Sequence, residues 1–533
     1  MNLKSVARVF FTFLPFTFLP CSLAQDLPLA DVKPGLEGFA LTAGAGNVLE
    51  RFEVKVLDLV DDPRGFPLIL VRGSGKFLDT VGGIGQGFSG SPVYIGGRLV
   101  GAVSGGFPNA DHRLALVTPI SAMRRAQLPP TALALALPLK QFCLAGVGCA
   151  APLNLPFSSF GLTPKAQGLL LEGLRAKGYA LELQQGSAVA STLPRPYKLE
   201  PGAAIAAQLA TGDISLGAIG TVTTIEKNQI LAFGHPVFAD ARARFIAMPA
   251  YISAIIPSSV VPYKIGAATG QPIGVFNTDH PAAIAGTLGA SNAVPLEITL
   301  KRGSSSKNLS IGLAPVEDLF ANMVVASVSS GIEQLLEGSS PGLARLGITL
   351  EFADRAAVTL REVVTGDDVA RAAAVRAALM TALVSENPYR DSRIKKISLD
   401  IELSAYSSLR VIKLEPEKRI VKPEELAIIN VRLQAYRSAV SVKRITYKAP
   451  AIEGKYRLRV RGASTPRPPN ELESPDPWDG ILTLEELLER LKSRIKDSDL
   501  VVETLADEPR IVGIERFDVP VMGWGYIDIT VQK

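Results

Sequence analysis

The residues of this chain that could do chemistry are few, and the first group is a serine in a small-residue turn. Gly85-Gln86-Gly87-Phe88-Ser89-Gly90-Ser91-Pro92 lies between apolar, strand-like runs, Leu68-Ile69-Leu70-Val71 before it and Val93-Tyr94-Ile95 and Arg98-Leu99-Val100-Gly101-Ala102-Val103 after it. Glycines beside a serine open backbone conformations closed to other residues and leave amide N–H groups unobstructed. A serine nucleophile needs that setting, because the oxyanion of an acyl-transfer intermediate is held by backbone N–H donors near it; here they would be those of Ser89 and Gly87. The same Gly-Ser-Pro sequence also suits a hairpin that merely turns the chain.

A serine nucleophile commonly takes its base from histidine, which a carboxylate then orients. The chain has only three histidines. His112 sits in the polar loop Pro108-Asn109-Ala110-Asp111-His112-Arg113, and His280 in the turn Asn277-Thr278-Asp279-His280-Pro281. His235 ends an apolar run between Gly234 and Pro236, where a side chain can be fixed and partly buried. A metal site is not expected, since the histidines are scattered and no His-Glu-x-x-His spacing occurs. No cofactor motif is found either.

The elements that must position these residues read as mainly β. From residue 35 to 125, short strands alternate with Gly, Pro and Asp, a pattern suited to a barrel or sandwich. A second strand-rich region runs from about 200 to 310, with a hairpin predicted around Glu226-Lys227-Asn228. Thr163 to Lys177, 313–337 and 367–385 have helical character, the last with Asp367 or Asp368 as cap. From about 395, alternating strands suit a sandwich, and Leu482 to Ile495 reads as an amphipathic helix with a Thr483 cap and Glu486 three residues on.

Bulk properties narrow the class. A chain of 533 residues exceeds one ordinary core, and a net charge of +5 is too small to imply nucleic-acid binding. Lys4 and Arg8, an apolar run from Val9 to Pro20, and Ser22-Leu23-Ala24 form a signal-peptide pattern with cleavage before Gln25. The run is too short to span a bilayer, and Pro20 before Cys21 fits a lipidation site poorly. Export to a periplasmic, cell-envelope or extracellular setting is expected. Cys143 and Cys149 then remain, separated by Leu-Ala-Gly-Val-Gly, and a local disulfide is the expectation in an oxidising compartment.

The stretch Gly82-Gly83-Ile84-Gly85-Gln86-Gly87-Phe88-Ser89-Gly90-Ser91-Pro92, with Gly97-Arg98-Leu99-Val100-Gly101-Ala102-Val103 after it, resembles the nucleophile region of the SpoIVB family of serine peptidases. Gly220-Thr221-Val222, Leu231-Ala232-Phe233-Gly234-His235 and Gly274 to Leu288 resemble that family's histidine half. The resemblance implies a trypsin-like double β-barrel, with Ser89 as nucleophile and His235 as general base. In the family the histidine half comes first; here the order is reversed, as in a circular permutation. Fifteen residues before its serine the family carries an aspartate, and this chain has Ser74 there. Asp79, Asp213 and Asp240 are the alternatives for the missing acid, with Asp213 carried in the candidate catalytic set.

The expected organisation is a signal peptide (1–24), a serine-half barrel with connector (25–150), a histidine-half barrel with a leading helix (151–312), a helical and mixed region (313–392), a β-sandwich-like domain (393–463), and a linker, helix and terminal strands (464–533). The expected function is peptide-bond hydrolysis on a protein or peptide substrate, the chain itself included. The alternative is a non-catalytic cell-envelope binding or assembly protein that keeps the fold, with its C-terminal β-rich part facing a partner.

Overall fold

The computed structural model describes residues 25–62, 65–128, 142–144, 148–153, 157–179, 181, 183–185, 197–238, 244–389, 391–465, 480–505 and 510–533. The signal-peptide segment 1–24, most of the connector, Asp240 and the Pro-rich stretch 466–478 lie outside the described residues.

The protein is mainly β, and its first barrel grows from alternating sequence. In Leu49–Val60, Phe52, Val54 and Val56 turn inward while Arg51, Glu53 and Lys55 face outward, as the two-residue period of a strand dictates. Strands β1 (Glu37–Ala43), β2 (Leu49–Val60), β3 (Leu68–Ser74), β4 (Pro92–Ile95), β5 (Arg98–Gly106) and β6 (Leu114–Pro119) pair in the order β4-β1-β2-β3-β6-β5, and β4 also pairs with β5. The six-strand barrel is thereby closed. Helix α1 (Lys76–Val81) caps it and leads into the serine turn. The interior holds Phe52, Val54, Val71, Val93, Val103, Val117 and Phe88, the neighbour of Ser89.

Further along, β7 (Ala204–Gly212), β8 (Ser215–Glu226), β9 (Gln229–Ala232), β10 (Phe245–Ile256), β11 (Tyr263–Ala268), β12 (Gly274–His280) and β13 (Ala283–Leu288) belong to a larger sheet. Within it the pairings β7–β8–β9–β13–β12–β10–β7 form a closed circuit, and β11 hangs from β10. The predicted hairpin is there, turning at Lys227 with a positive φ of 56°. Register shifts at Val103/Gly105 in β5 and Val222/Thr224 in β8 bend both strands beside the serine turn, as bulges do.

The sheet continues through Ser305–Leu313, Val294–Arg302, Ile394–Ser404, Gly342–Phe352 and Val358–Gly366, with the helices Glu317–Leu336 and Val369–Ser385 packed together against its core. The first of these contains an 18-residue stretch apolar enough to cross a membrane, but 67% of that stretch is buried in the protein. Asp368 caps the second by accepting from Arg371 N, and Thr163 caps the helix Pro164–Ala176 by accepting from Ala166 N.

The C-terminal boundaries differ from those expected. Ile394–Ser404 pairs with Val294–Arg302 and Gly342–Phe352, so it completes the central sheet and is no part of the sandwich. The sandwich instead joins Leu409–Gly462 to the terminal strands Asp499–Val531 around one core. Helix Leu484–Ser493 buries Leu484, Leu487, Leu488 and Leu491 in the central core, its Thr483 cap accepting from Glu486 N. The alternation at 397–403 fits either sheet, and only pairing decides.

Within the sandwich, Glu503 is fully buried and accepts from Arg459 Nε (2.7 Å) and Arg461 Nη2 (2.9 Å). Burial pushes its carboxyl up, but the two guanidiniums outweigh that and hold it below the usual carboxylate range. Replacing one member of such a buried cluster leaves the others' charge uncompensated. Glu503→Gln is therefore expected to cost about 3–5 kcal/mol in urea denaturation; a loss under about 1 kcal/mol would mean that the arginines find other partners.

Candidate active site

The serine turn is held by hydrogen bonds on every side. Gln86 N donates to Pro262 O (2.8 Å), Lys264 N to Gln86 O (3.1 Å), Phe88 N to Gly85 O (3.1 Å), Ser91 N to Phe88 O (2.9 Å) and Gly90 N to Val103 O (2.7 Å). From β8, Thr221 N donates to Ser89 O (2.8 Å), Thr221 Oγ1 to Gly87 O (3.1 Å) and Thr223 Oγ1 to Gly90 O (2.8 Å). Among the described residues the N–H groups of Gly87 and Ser89 donate to nothing. These are the two donors the sequence singles out for an oxyanion.

Gly90 explains why the turn needs glycine. Its φ is +93°, and a Cβ there would stand 2.0 Å from Thr221 O and 2.5 Å from Phe233 N, so the backbone of the histidine half occupies the space a side chain would need. Gly87, at φ +85°, is pressed against the aliphatic stem of Lys264 in the same way.

His235 is delivered by a second strained turn. Phe233 (φ 70°) and Gly234 (φ 68°) both leave β9 in left-handed conformation, unusual for a phenylalanine and sustained here by full burial of its ring. The Thr118 hydroxyl of the first barrel donates to Gly234 O (2.7 Å). The imidazole then meets the serine: His235 Nε2 lies 2.8 Å from Ser89 Oγ, and Nδ1 lies 2.8 Å from Pro236 O. Since a carbonyl can only accept, Nδ1 carries the proton and Nε2 presents its lone pair to the Ser89 hydroxyl. Ser89 is 0% and His235 2% exposed.

Of the three acids the sequence offers, Asp213 and Asp79 stand away from the imidazole, and Asp240 lies outside the described residues. Asp213, in the exposed turn between β7 and β8, accepts from Ser310 N (2.7 Å) and makes no bond to His235. Asp79 on α1 pairs with Arg113 (2.7 Å) at the surface. Of the other histidines, His112 keeps to its loop, its Nε2 2.8 Å from Val260 O, whereas His280, expected in a turn, is the last residue of strand β12, and its Nδ1 accepts from Ala282 N. Backbone pairing sets Cys143 directly opposite Cys149 in a hairpin. Among the described residues there is no group of His, Cys, Asp and Glu suited to a metal ion.

Two residues at the site escaped the sequence reading. Asp279 is fully buried and accepts from Val237 N and Phe238 N (2.7 Å each), fixing the chain just after His235 and Pro236. Its one signal was an aspartate at the end of an apolar strand, which reads equally as a turn. Lys264, on β11, is 1% exposed; its Nζ donates to Thr42 Oγ1 (2.7 Å), which also accepts from Ser91 Oγ (2.9 Å), and it stands 4.5 Å from the centre of the Phe88 ring. Nothing local in Tyr263-Lys264-Ile265-Gly266 announces that burial.

Comparison with family models, with curated proteins and with solved structures returns no match for this chain. The reading of the site therefore rests on its geometry and on the motifs.

Burial pushes the Lys264 amine down to about 7. Between there and the ordinary lysine value of about 10.4, the unfolded chain binds a proton that the folded one does not, so stability rises with pH through that window. From pH 7 to pH 9, the wild type should gain about 2 kcal/mol relative to Lys264→Met in chemical denaturation. Parallel pH curves for the two proteins would show that the buried amine keeps its proton.

Proposed function

We propose that the protein is a serine hydrolase of peptidase type acting by acyl transfer. The observation that carries the reading is the 2.8 Å contact between Ser89 Oγ and His235 Nε2, beside two N–H groups that donate to nothing among the described residues. His235 would take the Ser89 proton as the oxygen attacks a peptide carbonyl, and the Gly87 and Ser89 N–H groups would receive the oxyanion. The proton would return to the leaving amine, and water would repeat the cycle to release the acid. Pro236 O, by accepting from Nδ1, selects the tautomer whose Nε2 lone pair faces the Ser89 hydroxyl.

Two closed six-strand circuits that meet at this pair also suit a trypsin-type double barrel, and the motif resemblance points to the SpoIVB peptidases. We further propose that the protein is exported, that residues 1–24 are its signal peptide, and that the opposed Cys143 and Cys149 form a disulfide. If they do, alkylation without reductant adds no label at these positions and alkylation after reduction adds two; two labels without reductant would refute the bond.

One observation favours a second reading. The pair is enclosed, so a substrate carbonyl reaches Ser89 only if neighbouring chain moves, and an envelope protein that keeps the fold as a scaffold needs no such movement. A fluorophosphonate probe separates the two. On the enzyme reading, the wild type gains the mass of one adduct, Ser89→Ala gains none, and His235→Ala reacts at least about 100-fold more slowly. An unlabelled wild type, or equal labelling of the Ser89→Ala protein, would leave the scaffold reading standing.

A further inference from the structure

We propose that Lys264 is a positioning residue for the oxyanion-forming turn, holding the Gly87 and Ser89 N–H groups in line while its amine is neutral and letting them shift when it is protonated. The inference rests on the acyl-transfer reading of Ser89.

The side chain is built into the turn from both ends. Its backbone N–H donates to Gln86 O, and its Cβ, Cγ and Cδ line the face of Gly87 so closely that a Cβ on that glycine would stand 2.9–3.1 Å from them. Its Nζ lies over Phe88 and against Thr42. One lysine thus touches, or is bonded to, each of the three residues that precede Ser89.

The two protonation states of the amine ask different things of this pocket. The contact has Nζ donating to Thr42 Oγ1, which also accepts from Ser91 Oγ; a neutral amine carries a lone pair as well, so the Thr42 hydroxyl can turn its own proton to Nζ and each hydroxyl proton is used once. An ammonium has three protons to place. Among the described residues its one oxygen partner is Thr42 Oγ1, already accepting from Ser91, and the Phe88 ring face is the other attraction. Among the described residues no carboxylate pairs with Lys264. Thr42 on β1, Gly87 and Phe88 on the serine turn, and Ile255, its register partner on β10, do not titrate; Tyr263 flanks it on β11, and His235 is the titratable group beyond Ser89. Burial lowers the amine to about 7, so both states are reached near neutral pH. A charged amine must seek further acceptors, and the backbone its own side chain already touches is that of the turn.

The test is the pH profile of fluorophosphonate labelling at Ser89. On the acid limb, protonation of His235 alone makes the rate fall with the first power of proton concentration; a second proton on Lys264 makes it approach the second power. Per pH unit, the wild type should then lose about 100-fold and Lys264→Met about 10-fold. Equal limbs in the two proteins would overturn the proposal. A measurement on the wild type alone guards against a variant that fails to fold: the Lys264 Cε resonance and the Gly87 and Ser89 amide resonances should share one titration midpoint. Amides that stay still through the lysine transition would also overturn it. If the probe labels nothing, the acyl-transfer reading fails, while the resonances still decide whether Lys264 governs the turn.

Discussion

The site depends on a reciprocal docking of two turns across one interface. The serine turn grows from the first barrel but is held by Thr221 and Thr223 of β8; the histidine turn grows from β9 but is held by Thr118 of β6. Each half supplies one member of the Ser89–His235 pair and the acceptor or donor that fixes the other. Gly90 sits where they cross, with no room for a Cβ between it and the backbone of Thr221 and Phe233. The 2.8 Å contact between Ser89 and His235 is therefore a readout of how the halves pack, and a shift of about 1 Å between them would break it.

Those parts of the site that lie on short-range chemistry were legible in the sequence. Glycines around a serine announce a turn with accessible N–H groups, and a histidine after an apolar strand, followed by proline, announces a fixed side chain; both residues fall where the structure brings them together. Asp213 was named because a triad wants an acid, and chain distance carries no information about which aspartate faces the imidazole. Its carboxylate instead fixes Ser310 N. Lys264 was invisible for a related reason. A lysine every few residues is the usual dress of an exposed strand, and only the packing of β11 against the serine turn buries this one.

Fold class followed the same division. Alternation and turn residues gave mainly β with a barrel, because inward and outward positions are set locally. Sheet membership was not local: Ile394–Ser404 has the alternation of a sandwich strand but pairs in the central sheet with Val294–Arg302, far earlier in sequence. The reverse holds at the end of the chain, where Trp524–Val531 returns to pair with Gly454–Gly462 and closes the sandwich.

Asp279 shows how a carboxylate can position a histidine through the backbone that follows it. A buried acid hydrogen-bonded to an imidazole would stabilise the imidazolium directly, and removing the charge from such an acid slows a triad enzyme by about 10⁴-fold, chiefly through the wrong tautomer. Here the tautomer is settled by the Pro236 carbonyl, and Asp279 accepts from the N–H groups of Val237 and Phe238, immediately beyond that carbonyl. The effect is rigidity: the carbonyl is held while the two following amides are pinned, and with it the orientation of the imidazole that faces Ser89.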